Sequence, residues 1–259
     1  MAEAPGPGPV AVRGGVLWTA VRELVDAATA HPAGDELLVL DLGGGTGGLA
    51  VPVAELGHRV TVVDPSPDAL AALDRRAAER GVDDRIRGVQ GDAADLLDHV
   101  DAGTVDVVLC HGVLEVVDDP DEALDTIRAA MQPSGVLSVV VAGRYAAVLA
   151  KAMAGHLSEA RAVLETPPTT APVTPLRPRR YTPDEVVALL RAHEFTADRV
   201  QAVRVFADLV PSAVLDVEPA ASRTLLELER SVADVSAFAA VAAQLHVVAS
   251  RSTGQSHAP

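Results

Sequence analysis

Apolar residues in the first half of the chain fall into short blocks separated by polar, glycine or proline breaks. LLVLD (37–41), RVTVVD (59–64), RIRGVQ (85–90), VDVVLC (105–110) and GVLSVVV (135–141) read as buried strands. VDVVLC is almost wholly apolar, as a central parallel strand covered on both faces should be. Between the blocks the period changes to that of a helix. In VLWTAVRELVDAATA (16–30), Val16, Leu17, Ala20, Val21, Leu24, Val25 and Ala28 form one stripe. Further helices are expected from Gly48 to Leu56, from Asp68 to Arg80 with Gly81 as its stop, and from Asp119-Pro120 to near Met131. Strands alternating with helices predict an α/β fold, a parallel sheet with right-handed crossovers. In such sheets the ligand sits outside the carboxyl ends of the strands, where the strand order reverses.

The rhythm breaks over 142–180. Residues 145–165 have a helical pattern, whereas TPPTTAPVTPLRP (166–178) is too proline-rich for a regular element. The segment is expected to be an insertion lying over the strand ends as a lid. The alternation resumes at TPDEVVALLRAHEF (182–195), with Thr182 as helix cap and Pro183 in the first helical position. RVQAVRVFADL (199–209) is expected as a strand, about 220–233 as a helix, and AAQLHVVASR (242–251) as the last strand. Residues 1–15 read as a flexible lead, 16–251 as one domain and 252–259 as a disordered tail.

Composition narrows the chemistry. The chain of 259 residues is 49% hydrophobic but only 2% aromatic, so the core is aliphatic and surfaces for stacking bases are scarce. The formal net charge of −15 repels polynucleotides except at a local basic cluster. A single cysteine, Cys110, rules out a disulfide framework and a cysteine-cluster metal site. The opening MAEAPGPGPV has no basic or apolar signal region, and no apolar run approaches the ~20 residues of a membrane span. A cytoplasmic protein that does not enter membranes is expected.

Chemistry concentrates in VLDLGGGTGG (39–48). Gly43, Gly45 and Gly48 satisfy the dinucleotide spacing G-x-G-x-x-G. Asp41, two residues earlier, argues against it, because a pyrophosphate beside a buried carboxylate is strongly repelled. S-adenosylmethionine carries an ammonium and a sulfonium and no phosphate, so an acid there suits its methionine end. Gly43, Gly44, Gly45 and Gly47 let backbone approach the ligand. Asp64, 21 residues after Gly43 and followed by Pro65, has the spacing of a ribose-hydroxyl ligand or else caps a turn. Asp92, in GDAADL after the third strand, either accepts from an adenine amino group, with the Ala93 amide facing a ring nitrogen, or caps a helix.

These stretches together, VLDLGGGTG, VVDPS, GDAADL, LCHGVLEVVDDP and LRAHEF, resemble class I S-adenosylmethionine-dependent methyltransferases. The resemblance implies a Rossmann-like, doubly wound seven-stranded sheet whose last strand is antiparallel. It also places His111 and Gly112 near the cofactor. A narrower resemblance runs from about Val16 to Arg251. GGGTGGLAVPVAELGHRVTVVDPS, CHGVLEVVDDPDEAL, GVLSVVVAG, AVRVFADL and LLELERS…QLHVVASR are similar, in order, to bacterial tRNA wobble-uridine methyltransferases, which esterify the carboxylate of 5-carboxymethoxyuridine. This implies a tRNA anticodon loop as partner. The chain departs from that pattern by losing basic residues: the lead keeps only Arg13, the proline-rich linker has only Arg177, Arg179 and Arg180, and Ala243 stands where an arginine is expected.

The acceptor therefore stays open between tRNA and a small carboxylated or hydroxylated metabolite. A carboxylate acceptor is already ionised and needs only an orienting cation, for which Arg13, Arg144, Arg179 and Arg180 are candidates. Tyr145 and Tyr181 flank the insertion and could close over a planar substrate. A hydroxyl or amine acceptor would be helped by a base, and His111 is then the candidate. No residue is assigned as catalytic from sequence. A nicotinamide-dependent oxidoreductase and a cofactor-binding protein without turnover are the remaining alternatives.

Overall fold

The computed structural model describes residues 9–29, 36–168, 178–217 and 220–252. Strands β1 (Leu38–Leu42), β2 (Arg59–Asp64), β3 (Ile86–Gln90), β4 (Val105–His111), β5 (Met131–Ala142), β6 (Phe195–Val203) and β7 (Gln244–Arg251) form one seven-stranded sheet in the order β3-β2-β1-β4-β5-β7-β6. The pairings β3–β2, β2–β1, β1–β4 and β4–β5 are parallel, and β7 runs antiparallel to both β5 and β6. This is the doubly wound sheet with a reversed last strand expected above. The order reverses between β1 and β4, so their carboxyl ends diverge and open a crevice there.

Helices cover both faces. On one face α1 (Pro9–Thr29), α2 (Ala50–Glu55) and α3 (Pro67–Arg80) seal a core of Val21, Val25, Val39, Val62, Leu73, Val107 and Leu109. On the other, α4 (Pro120–Ala130) and α7 (Pro183–Ala192), which contributes Leu190, pack over Leu40, Val108, Leu137 and Val139. Alternation decides which side chain goes where: in β4, Val107 and Leu109 face α1, and His111 follows them in phase. Caps fix the entries. Asp119 accepts from the Asp121 and Glu122 amides at the start of α4, and Thr182 with Glu185 forms a capping box on α7, with Pro183 in its first turn.

Several boundaries differ from expectation. Helix α1 starts at Pro9 rather than Val16, so residues 9–15 belong to it. Within it, a Cβ at Gly15 would stand 3.1 Å from Leu226 of α9 (Ala221–Val232), where the two helices meet. Residues 1–8 lie outside the described part, as do 253–259 of the expected tail. The helical stretch of the insertion is two helices, α5 (Arg144–Met153) and α6 (Leu157–Glu165), broken at Gly155 with φ 80°. Most of the proline-rich part, 169–177, is not described. Strand β6 is shifted towards the N-terminus of the expected 199–209, because Arg204 takes φ 59° and ends the ladder. Two short helices, α8 (Ser212–Val217) and α10 (Ser236–Ala239), were not foreseen.

Candidate functional site

The glycine-rich turn leaves β1 and enters α2. Gly43 (φ 69°), Gly45 (φ 56°) and Gly47 (φ 76°) all take left-handed conformations. A Cβ at Gly44 would lie 2.5 Å from the Asp41 carboxylate, so the loop closes directly over that acid. Asp41 is buried and accepts a hydrogen bond from the Ala50 amide. Burial first, and then the neighbouring charge of Asp64, push its pKa up to about 7, although the Ala50 amide acts the other way. It is a carboxylate short of a cation.

Asp64 ends β2 and organises the same turn. Its Oδ2 accepts from the Gly45 amide at 2.9 Å and its Oδ1 from the Ser66 amide at 2.9 Å. Each oxygen keeps lone pairs for further donors such as ribose hydroxyls. Asp92 stands exposed after β3, its Oδ1 accepting from the Ala94 amide at 2.8 Å. Ala93 beside it is buried, its carbonyl held by the Thr126 hydroxyl at 2.9 Å.

A cleft of about 490 Å³ joins these groups. Gly43, Asp64, Pro65, Asp92, Ala93, His111 and Gly112 all line it. Its charged lining is Asp64, Asp92, Asp118, Asp119 and Glu122, and among the described residues no lysine or arginine is in its wall. The five carboxylates would repel a pyrophosphate here. A ligand with hydroxyls, an amino group and positive charge fits the donor-poor, acceptor-rich wall. Asp41 and Gly47 are buried and Gly44 and Gly45 half-buried in the turn that carries Gly43, and they do not line the cleft themselves. Asp41 is buried directly under Gly44, where its carboxylate faces the turn.

The proposed acceptor residues are placed differently. Arg144 is buried, and its Nη2 donates to both oxygens of Glu185 at 2.7 Å. Arg179 is also buried and donates to the carbonyls of Val117 and of Asp118 (2.8 Å), clamping the loop after β4. The Tyr181 hydroxyl, buried too, donates to the Leu114 carbonyl at 3.1 Å. These three therefore hold the foot of the insertion against the β4 loop instead of facing a ligand. The reason is the tight exit from β5: a Cβ at Gly143 would lie 2.1 Å from the Ala242 carbonyl oxygen, so the chain passes close to β7 and bridges to Tyr181. Arg180 is half-buried with no side-chain hydrogen bond among the described residues, and its charge is felt at Glu115. Tyr145 is exposed on α5. Arg13 lies in the first turns of α1, but its side chain is outside the described part.

Two features escaped the sequence reading. Glu229 of α9 is fully buried and accepts from the amides of Val205, Phe206 and Ala207 at 2.7–3.0 Å. It explains why RVFADL and LLELE occur together. The second is a row of buried polar side chains, Ser138, His246 and Gln201, running from His111 across the sheet. The lone serine in GVLSVVV and the histidine in QLHVVAS were its visible signs.

Comparison with known proteins agrees with this geometry. Residues 40–137 match the methyltransferase-domain family model. The chain is 32% identical over 151 residues to the tRNA 5-carboxymethoxyuridine methyltransferase of Escherichia coli K12, covering 58% of this chain and 56% of that one. It is 38% identical over 119 residues to the ubiquinone biosynthesis O-methyltransferase of Caulobacter vibrioides, 46% of each chain. The chain thus spans about half the length of the curated relatives it matches. Among solved structures, magnesium protoporphyrin IX methyltransferase from Synechocystis PCC 6803 with bound SAH superimposes with a TM-score of 0.60 at 16% identity, over 97% of this chain and 90% of that one. That likeness establishes the sheet order and reversed last strand as a methyltransferase fold. From β1 into β5, over residues 40–137, the chain is thus similar to methyltransferase domains.

Proposed function

We propose that this protein is an S-adenosylmethionine-dependent methyltransferase acting on an oxygen acceptor. The observation that carries the reading is the acid-lined cleft, with no cation among its described wall residues, beside a left-handed glycine turn. Asp41 and the Gly43–Gly47 turn would hold the methionine end, Asp64 the ribose hydroxyls, and Asp92 with the Ala93 amide the adenine. The sulfonium supplies an activated methyl group. The protein's task is then to aim the acceptor oxygen in line with it and to exclude water. His111 and Gly112 close the far side of the cleft at the end of β4, beside the divergence of β1 and β4 where acceptor and methyl group would meet.

Two acceptors have support. A carboxylate, as in the tRNA wobble nucleoside, is supported by the 32% identity to the Escherichia coli enzyme and by Arg180, the expected arginine whose guanidinium the structure leaves without a hydrogen bond among the described residues. A hydroxyl on a small metabolite is supported by the net charge of −15, by the internal partners of Arg144 and Arg179, and by a histidine beside the switch point. Incubation with methyl-labelled cofactor and either bulk tRNA or a metabolite extract tests the reading. Label in neither pool overturns the methyltransferase proposal, and label in one names the acceptor class.

A further inference from the structure

The row of polar groups beneath the acceptor position has a direction that hydrogen-bond bookkeeping fixes. At its far end Arg199 donates to both oxygens of Asp234 at 2.8 and 2.6 Å. Asp234 also accepts from the side chain of Gln201, which can donate only through its amide nitrogen. The Gln201 Oε1 is therefore turned to His246, 3.2 Å from Nδ1. That contact requires a proton on His246 Nδ1, so the neutral ring offers a lone pair at Nε2. The Ser138 hydroxyl, 2.8 Å away, donates to it. Ser138 Oγ then has only lone pairs left for His111 Nε2, also 2.8 Å away, and this nitrogen must carry the proton. His111 Nδ1 is left as a bare lone pair, buried and with no partner.

The row crosses β6, β7, β5 and β4, with all four side chains on the sheet face that α1 covers. Ser138, His246 and Gln201 are buried, and the two imidazoles meet edge-on at 6.1 Å. Burial holds both rings neutral at ordinary pH: the pKa of His111 falls to about 3 and that of His246 to about 4. Neither ring can satisfy the row by taking up a second proton.

We infer that His111 Nδ1 is the acceptor of the proton of a hydroxyl substrate, and that Ser138, His246 and Gln201 are positioning residues that hold it in the competent tautomer. The inference rests on the hydroxyl reading of the proposed methyl transfer. The hydroxyl oxygen bonds to the methyl carbon while the carbon–sulfur bond breaks, and that electron pair stays on sulfur. The oxygen, now carrying three bonds, gives its proton to Nδ1. A methyl ether and the thioether product result, and the imidazolium loses its proton to solvent on product release. A weakly basic imidazole suffices, because a protonated ether is a far stronger acid than an imidazolium. An ionised carboxylate has no proton to offer and would face the lone pair with like polarity.

The test starts from the ligand-free protein. In nitrogen-15 long-range histidine spectra at pH 7, His111 should be protonated at Nε2 only and His246 at Nδ1 only, with the His111 signals assigned by their loss in His111→Asn. In Ser138→Ala, His111 should become a mixture of tautomers, while His246, still held by Gln201, keeps its proton on Nδ1. His111 protonated at Nδ1, alone or together with Nε2, overturns the positioning role whatever the reaction is. For the chemistry, His111→Ala should lower kcat by about 10²–10⁴-fold on a hydroxylated acceptor. Cofactor affinity by calorimetry should stay within about threefold. Ser138→Ala should lower kcat by roughly tenfold without raising KM. An unchanged kcat in His111→Ala overturns the proton-acceptor role. Alkali treatment of the wild-type product separates that outcome from failure of the hydroxyl reading, because a methyl ester releases its label in mild base and an ether keeps it. Solely base-labile label overturns the hydroxyl acceptor.

Discussion

Replacing Asp41 by asparagine should make the ligand-free protein more stable while weakening its cofactor site. The carboxylate is buried beneath Gly44, beside Asp64, and its pKa is raised from 3.8 to about 7. A group whose folded pKa lies above its unfolded value binds more protons in the folded state between those two values. It therefore costs stability increasingly as pH rises from about 4 to about 7, and the cost is constant above that. At 1.36 kcal/mol per unit the full cost is on the order of 4 kcal/mol above pH 7, a ceiling for a buried site that can relax. The asparagine side chain would keep an oxygen for the Ala50 amide and turn its NH₂ towards Asp64, replacing repulsion by a hydrogen bond. If half the ceiling survives, Tm rises by about 4 °C or more in a chain of this size. Calorimetry on ligand-free wild type and Asp41→Asn at pH 8 and pH 5.5 should show a gain for the variant that shrinks on acidification. In parallel, S-adenosylmethionine affinity of the wild type should strengthen as pH rises through 7, and the variant should lose at least tenfold in affinity together with that pH dependence. A variant no more stable than wild type at pH 8, or a gain that grows towards acid, would refute the account of Asp41.

Other consequences are direct. Gly44→Ala sets a Cβ 2.5 Å from the Asp41 carboxylate and should displace the turn, lowering cofactor affinity by an order of magnitude or more in calorimetric titration while secondary structure by circular dichroism is kept. Glu229→Leu leaves three amides after β6 without their acceptor and should cost about 3 kcal/mol or more in urea unfolding, whereas Glu229→Gln, which keeps one acceptor oxygen, should cost less. His193 sits between Asp125 and Asp121 at 2.9 and 2.7 Å. Burial opposes its charge, but the two carboxylates outweigh it and raise the pKa above 6.5. Its contribution should be complete below about pH 6.5 and fade as pH rises through the raised value, so the stability gap between wild type and His193→Leu should be wide at pH 5.5 and narrow by pH 9.

Periodicity located the elements that build the cleft, since β1, β2 and β4 are apolar runs whose ends are marked by Asp41, Asp64 and His111. The strand ends were legible because burial on both faces of a parallel sheet leaves little choice of residue. Less could be read where long-range packing decides. Residues 9–15 read as part of a flexible lead until Leu226 is seen against Gly15, and Arg204 gives no local sign of its left-handed backbone. The internal partners of Arg144, Arg179 and Tyr181 were hidden for a similar reason. Nothing local tells Arg144 or Arg179 that Glu185 and the Val117 and Asp118 carbonyls will be their partners, because those contacts form only once the insertion folds back on β4. The polar row is the clearest case. Its members come from four strands, and only their register brings Ser138 within 2.8 Å of both His111 and His246.

Acidic walls beside a left-handed glycine turn suit an adenosine ligand that bears positive charge and no phosphate. Thermal denaturation of the full chain with S-adenosylmethionine, S-adenosylhomocysteine or NAD tests this most directly. Ligand at about 100 times its Kd stabilises the folded state by about 2.7 kcal/mol, a rise of roughly 5 °C or more. Both sulfur-containing ligands should produce such a rise and NAD none. Stabilisation by NAD, with no response to S-adenosylmethionine, would contradict the assignment of Asp41, Asp64 and the acid-lined cleft.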